Sequence, residues 1–480
     1  MLIGLILFPL IFSLVIFILP KNMTKFATIF YSVFSISWMV MVVKNISSWT
    51  NPFFTENYVF SSNLPSSLLL VLDGISIIPI LLTQVLIALI LWMLLAKQKD
   101  DKSVYSLIAL MHFGLNGVFL CADALGFYIF WEITLIPIYF ICAIWGEGKR
   151  MPITLKFFLY TFIGSLCMLV SFLYLYQIQP EGGNFSIANI FNVDMSTTAR
   201  FLVALGIFIG LAVKIPIFGF HNWQADTYTS APSYGSMLLA GIMLKMGLFG
   251  MYRWLSPLFG GPLCCDLQWY IIILCVIGVI YGAIIAITQT DLKRILAFSS
   301  FSHVGLIAAG IMTFSHSGWQ GGLLQMLVHG LNIVGLFYIV DLIEQKYGSR
   351  DLNNLGGIAT QNKWLAIYGM ILVLGTTALP LTNGFPGEFL LLKSLFEYQF
   401  LTALLAGTTI IWCAIYMLRL YQKVFFGEES KMVLSGDTSL SVAEHFILII
   451  FVLGVLVLGI FPQLILSLSE STVLNYLTQK

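Results

Sequence analysis

The sequence predicts an all-α polytopic membrane protein of about 14 transmembrane helices, and three observations carry that prediction. Hydrophobic residues make up 59% of the 480 and charged residues only 9%, with a mean hydropathy of +0.95. A soluble fold of that composition would present far more apolar surface than water tolerates. Apolar stretches long enough to cross a hydrocarbon core of roughly 30 Å recur from end to end, leaving no room for a soluble domain. Lysine and arginine, finally, gather on alternate loops between those stretches.

In chain order the expected spans are 2–19, 26–43, 67–95, 104–121, 124–145, 155–177, 201–228, 236–255, 269–288, 293–314, 321–341, 364–393, 400–423 and 442–468. The first has no Lys or Arg ahead of it and no small-residue cleavage pattern after it, so it reads as a retained helix and not a signal peptide. The fifth, FWEITLIPIYF, holds Glu132 near its centre; the seventh, AVKIPIFGF, holds Lys214; the eighth, GIMLKMG, holds Lys245. The tenth carries His303 beside Ser299, Ser300 and Ser302, and the eleventh carries His329 three residues before Asn332. In the twelfth, Glu388 follows Pro386 and Gly387.

If the spans alternate, the odd-numbered loops hold 16 of the 23 basic residues, and the even-numbered loops with the termini hold 5. The positive-inside rule then puts the odd loops in the cytoplasm and both termini on the opposite face. The two basic residues left over, Lys214 and Lys245, lie inside spans. A net charge of +1 with no concentrated basic face excludes a nucleic-acid partner. Seven cysteines, Cys121, Cys142, Cys167, Cys264, Cys265, Cys275 and Cys413, form no CxxC pair. They point to no disulfide and no iron–sulfur cluster.

An ionised group at the bilayer centre costs about 2.5–3.5 kcal/mol on insertion scales, so Glu132, Lys214, Lys245 and Glu388 each need a partner, water or a purpose. Snorkelling does not rescue the two lysines. Each has roughly ten apolar residues on at least one side, about 15 Å of helix, beyond the reach of one side chain. A lone buried histidine is more often a packing residue than a relay, but the hydroxyl and amide neighbours of His303 and His329 can hold water between titrating sites. His112, His316 and His445 have weaker cases. No HExxH or paired-histidine spacing suggests a metal. Asp73, Asp123 and Asp291 lie at span ends, where helix N-capping is the expected role.

Pro216 sits two residues after Lys214, while Pro380, Gly384 and Pro386 precede Glu388, so both spans are expected to break beside their charges. Carbonyls freed in lipid must face protein or water. The two segments resemble each other: Pro216 leads to Gly219-Phe220, and Pro380 to Gly384-Phe385. They are the seventh and twelfth spans, five apart, which predicts two inverted five-helix repeats with broken helices, an arrangement that places the ion site at mid-membrane. The expected divisions are 1–103 for three N-terminal flanking spans, 104–255 for the first repeat, 256–425 for the second and 426–480 for a C-terminal flanking helix.

With these motifs assembled, the sequence resembles the antiporter-like subunits of respiratory complex I, a family that also includes subunits of multi-subunit Na+/H+ antiporters and of membrane-bound hydrogenases. The likeness covers nearly the whole chain. It rests on FWEITLIPIYF, VKIPIFGFHNWQADTYTSAPS, LLAGIMLKMGLFG, TDLKRILAFSSFSHVG and NGFPGEF. Within the family the M-type chains are the most similar, because Glu388 stands where the L-type and N-type chains carry lysine. The resemblance implies a proton route over Glu132, Lys214, Lys245, His303, His329 and Glu388, and other complex I membrane subunits, including further antiporter-like chains, as partners in the lipid bilayer. It implies a multi-pass location in a bacterial inner membrane, or alternatively a mitochondrial one.

With no GxGxxG turn and no cluster ligands, the chain is expected to bind no cofactor. NADH, flavin, iron–sulfur clusters and quinone then belong to partner subunits, and this chain contributes to the enzyme as a non-redox translocase. Lys214 and Lys245 would hold protons in transit, and Glu388 would pass them to the face bearing the termini. Burial penalises a charged lysine and Glu132 favours it, so weakening the Glu132–Lys214 pairing would eject the proton. Transport against a membrane potential needs about 2.3 kcal/mol per 100 mV. A carrier for a small solute would need a roomy pocket in place of a row of charges with apolar gaps.

Overall fold

The computed structural model describes residues 1–46, 52–58, 67–97, 101–180, 182–259, 262–428 and 438–478. The Cys264 and Cys265 side chains, and Lys99, Lys431 and Lys480, lie outside that description. Among the described residues, twelve helices are long and apolar enough to cross a membrane, and Leu2–Ile18 and Lys363–Thr376 are shorter apolar helices. The described cysteines, Cys121, Cys142, Cys167, Cys275 and Cys413, are free thiols.

The elements run α1 Leu2–Ile18, α2 Thr24–Lys44, β1 Phe54–Tyr58, β2 Leu68–Leu72, α3 Ile77–Ala96, α4 Lys102–Leu120, α5 Ala124–Trp145, α6 Arg150–Gln177 and α7 Thr197–Lys214. They continue as α8 Gln224–Ser230, α9 Ser233–Leu258, α10 Pro262–Thr288, α11 Leu292–Ile311 and α12 His316–Tyr347. The chain closes with α13 Lys363–Thr376, α14 Gly384–Tyr398, α15 Phe400–Phe425, α16 Val442–Ile460 and α17 Gln463–Thr478. Among the described residues, seven of the helices start on a capping side chain. Asp101, Asp123, Ser196, Asp291, Ser315 and Asn362 accept backbone N–H groups in the first turns of α4, α5, α7, α11, α12 and α13. Ser441 and Glu444 form a reciprocal capping box on α16.

α9 and α12 are enclosed along the whole of their apolar windows, and α11 nearly so, whereas α6, α15 and α16 leave broad apolar faces uncovered. The core of the molecule is therefore a wall of helices around α9, α11 and α12, and every lysine, histidine and glutamate of interest points toward that centre or its margin.

Two expectations change. The fold is not purely helical, because residues 68–72 of the third expected span pair antiparallel with residues 54–58, Phe54 opposite Leu72. The Leu-rich strand reads as the start of the helix in composition alone. It stops at Asp73, whose carboxylate takes the N–H groups of Ile75 and Ser76 and turns the chain into α3. The last expected span is also two helices, since Pro462 cannot continue the hydrogen-bond ladder of α16 and α17 starts beyond it.

A buried row of acids and bases

The two broken helices set the geometry. α7 ends on Lys214, and the carbonyls released by the break find donors nearby: Ile217 N–H reaches Ala212 O at 2.9 Å and the Trp223 indole N–H reaches Val213 O at 2.9 Å. Gly219, at φ 93°, lets the chain reverse toward α8. The second break separates α13 from α14, with Pro380 inside it and Pro386 in the first turn of α14, where a missing N–H costs nothing. A Cβ on Gly384 would stand 2.2 Å from Gly375 O, so this approach of α14 to α13 requires glycine. Asn383 and Asn332 lock the break onto α12 through two reciprocal amide hydrogen bonds of 3.0 Å.

α9 carries Lys245 between two π-helical turns, Leu239–Met243 and Met251–Leu255. A π turn spoils the regular carbonyl ladder, and Ala240 O in the first of them accepts a hydrogen bond from Lys245 Nζ at 2.7 Å. The same ammonium meets His329 Nδ1 on α12 at 2.8 Å. That nitrogen then accepts, which places the ring proton of neutral His329 on Nε2, an atom that has no protein partner. Beside it lies a cavity with about 10 Å³ of room for water centres, lined by Ser299, His303, Gln325, His329, Asn332 and Thr376 among others, close to what one water needs.

On the far side of that cavity stands His303, its ring centroid 6.0 Å from that of His329. His303 Nδ1 lies 2.8 Å from Ser299 O and donates to it, so Nε2 faces Glu388 Oε1 at 3.4 Å. A proton between those two atoms can rest on either. Gln325 and Cys413 complete the surroundings, the amide at 3.5 Å from Glu388 and the thiol at 3.6 Å from His303 Nε2. Lys245, His329, His303 and Glu388 thus form one continuous buried series, none of them more than 5% exposed.

Glu132 and Lys214 form a separate pair. In α5, Pro137 offers no N–H and the helix is interrupted at Thr134, just past Glu132. Tyr128 and Ser165 hydroxyls lie against the half-buried Glu132 carboxylate. Lys214 Nζ sits 5.3 Å from the Trp131 ring centroid without a hydrogen bond, and Glu132 Oε1 has none either, although the two charges act on each other. The expected close pairing is therefore an interaction across a gap. Between this pair and Lys245, α7 and α9 pack through Leu211 and Ile215 against Gly247 and Gly250.

The remaining expectations sort plainly. Asp123 and Asp291 cap α5 and α11. Asp73 does more than cap: it holds Arg253 of α9 in a bidentate pair at 2.7 and 2.9 Å, and Tyr476 of α17 takes a further guanidinium N–H at 2.7 Å. Arg253 is one of the five basic residues counted on the even-numbered loops and termini, but it lies within α9 and is 2% exposed. Lys293, likewise assigned to a loop, is fully buried. His112 is held by the Tyr31 hydroxyl at 2.6 Å, His316 by Glu470 at 3.1 Å and His445 by Tyr368 at 3.0 Å, all away from the buried series. Asn332, expected as an amide neighbour of His329, does line the site, whereas Asn383 and Gln325 were missed, although the NGFPGEF motif begins on Asn383.

Residues 121–414 match the transmembrane family described as NADH:quinone oxidoreductase/Mrp antiporter. The NADH-quinone oxidoreductase subunit M of Rickettsia bellii is 34% identical over 460 residues, spanning 95% of this chain and 92% of that protein. The subunit M of Escherichia coli K12 is 33% identical over 423 residues, 85% of this chain and 82% of its own length. A chain of the respiratory complex I of Thermus thermophilus with bound NADH superposes with a TM-score of 0.89 at 26% identity, covering 98% of this chain and 99% of that one.

Proposed function

The chain belongs to the NADH:quinone oxidoreductase/Mrp antiporter transmembrane family, and from that premise we propose that its buried row of acids and bases is a proton route. It is a proton-translocating, antiporter-like membrane subunit of the M type in NADH:quinone oxidoreductase, multi-pass in a bacterial inner membrane, and its partners are the other membrane subunits of that complex.

The observation that carries the route is the continuous series from Lys245 through His329 and His303 to Glu388. A proton leaving Lys245 passes to His329 Nδ1, the Nε2 proton crosses one water to His303, and His303 passes it to Glu388. The separate Glu132–Lys214 pair loads and discharges Lys214, and Glu132 is half-buried on α5 between the exposed Ile129 and Ile136, where a neighbouring subunit packed on that helix can act on it by charge. Pro216, Pro380, Gly384 and Pro386 keep the backbone open beside these groups.

The wider architecture follows the same reading: 14 crossings, two inverted five-helix repeats at 104–255 and 256–425 flanked by 1–103 and 426–480, and both termini on the non-cytoplasmic side. The hairpin and α17 are additions to the flanking regions. The redox work with NADH, flavin, iron–sulfur clusters and quinone takes place in partner subunits, and this chain is a translocase without a redox centre. The deciding experiment is to reconstitute the complex holding this chain in vesicles and ask whether NADH oxidation drives proton uptake that Glu132→Ala abolishes. Proton uptake driven by a Na+ gradient and indifferent to NADH would refute the assignment.

A further inference from the structure

Lys293, at the start of α11, is a buried cation that the proposed route leaves unused. Its side chain has no solvent exposure, and its one hydrogen bond runs to Ala231 O at 3.2 Å, in the turn that leads from α8 into α9. Two carboxylates stand just beyond contact, Glu147 at 3.9 Å and Glu344 at 4.0 Å. They are 48% and 32% exposed, so acidity falls away from water toward one enclosed amine in a single step. Arg350 pairs with both carboxylates and with Asp291, at 2.7, 3.3 and 2.7 Å, while Asp341 acts on Lys293 from farther away and is itself held by Lys97.

Farther along α11 the same face turns polar again. Seven residues of helix bring Ser300 under Lys293, about 10 Å away along the axis, and the Ser300 hydroxyl is buried without a hydrogen bond. α8 covers this face, with Gln224 Nε2 bonded to Ala297 O at 3.2 Å. It presents the Tyr228 hydroxyl, also buried without a well-formed hydrogen bond, the Gln224 side chain being the polar group that acts on it. Buried hydroxyls left unpaired are costly unless water serves them. One turn past Ser300 is His303, already part of the series.

We infer that Lys293 is a proton-loading residue of this chain, fed from water through Glu147 and Glu344 and emptied inward past Tyr228 and Ser300 toward His303, where its protons join those that come from Lys245. This rests on the proton-route reading above and gives it a second entry, one that opens to water. In each cycle the ammonium gives an N–H proton to water held by the two hydroxyls, one of the two carboxylates takes a proton from the water outside, and the neutral amine takes that proton from the carboxyl. The uptake from outside restores the charge lost inward, and the transfer to the amine returns the ammonium and both carboxylates to their starting state, with Arg350 fixing the carboxylates throughout.

The test uses the complex holding this chain in vesicles, reading protons moved per NADH oxidised. Lys293→Arg keeps the positive charge and the ion pairs but cannot release its proton. The expected result is a loss of proton yield as large as in Lys293→Ala, with quinone reduction by the assembled complex retained, and a smaller loss in Tyr228→Phe. Full yield in Lys293→Arg would overturn the inference and leave Lys293 as a clasp between helices. Should Lys293→Arg fail to assemble, Tyr228→Phe decides, and full yield there overturns the inference. Lys245→Ala in the same vesicles separates the two levels. If it is defective while Lys293→Arg is normal, only the loading site falls; if it is normal, the route itself falls.

Discussion

Replacing Asn383 by leucine tests whether the second helix break is held by its amide clamp. Asn383 and Asn332 are 0% and 3% exposed and exchange two hydrogen bonds of 3.0 Å. Asn383→Leu removes both and leaves the donor and the acceptor of Asn332 in a buried site where the one-water cavity beside them can serve at most one. At about 1 kcal/mol per lost bond with a further 1–2 kcal/mol for the stranded groups, the variant should lose about 3 kcal/mol. Asn332→Leu should lose a similar amount. The double replacement leaves no stranded polar group and should cost well under the sum, giving a coupling energy of about 2 kcal/mol or more. Pulse proteolysis of this chain within the purified complex along a denaturant series reads these differences directly. Since Asn383 stands five residues before Glu388, proton yield should also fall in each single variant. Single costs below about 0.5 kcal/mol, or strictly additive ones, would show that the break is fixed by packing and not by the amides.

Other outcomes follow from the same geometry. Glu132→Ala and Lys245→Ala should leave the complex assembled, because neither residue supports packing by bulk alone, yet cripple coupled proton uptake; normal uptake in either removes that residue from the route. Arg253→Met should destabilise the chain by about 3–5 kcal/mol, since it strands Asp73 as an uncompensated buried charge, and adding Asp73→Asn should recover part of the loss in the same proteolysis assay. A reporter fused after Lys480 should be active only on the non-cytoplasmic face, and a cytoplasmic signal would mean that the crossing count is wrong.

The helices were legible because lipid imposes a simple demand: a long enough run of apolar residues must close its own backbone hydrogen bonds. Prolines next to charges likewise announced both breaks, and four of the six expected site residues meet in one series. What escaped was set by tertiary pairing. Leu68–Leu72 is as apolar as the helix that follows, and only its partner strand makes it a strand. Lys293 and Arg253 sit at helix ends, where composition cannot tell a solvated charge from one enclosed by a neighbouring helix. The gap between Glu132 and Lys214 depends on how α5 and α7 lean, which no spacing encodes.

The π turns on either side of Lys245 decide where that helix can lose a residue. Each houses one residue more than an α turn, so a deletion within Leu239–Met243 lets the coil relax to regular winding with everything beyond it close to its present register. A deletion at Leu244, in the α-helical stretch between the two, has no such slack and would swing everything beyond it by roughly 100°, carrying the ammonium away from His329 while changing neither hydropathy nor length enough for the membrane to reject the product. A comparison of natural variants should therefore find gaps in this helix at the wide turns and not between them, and the constraint would be one of angle and not of chemistry.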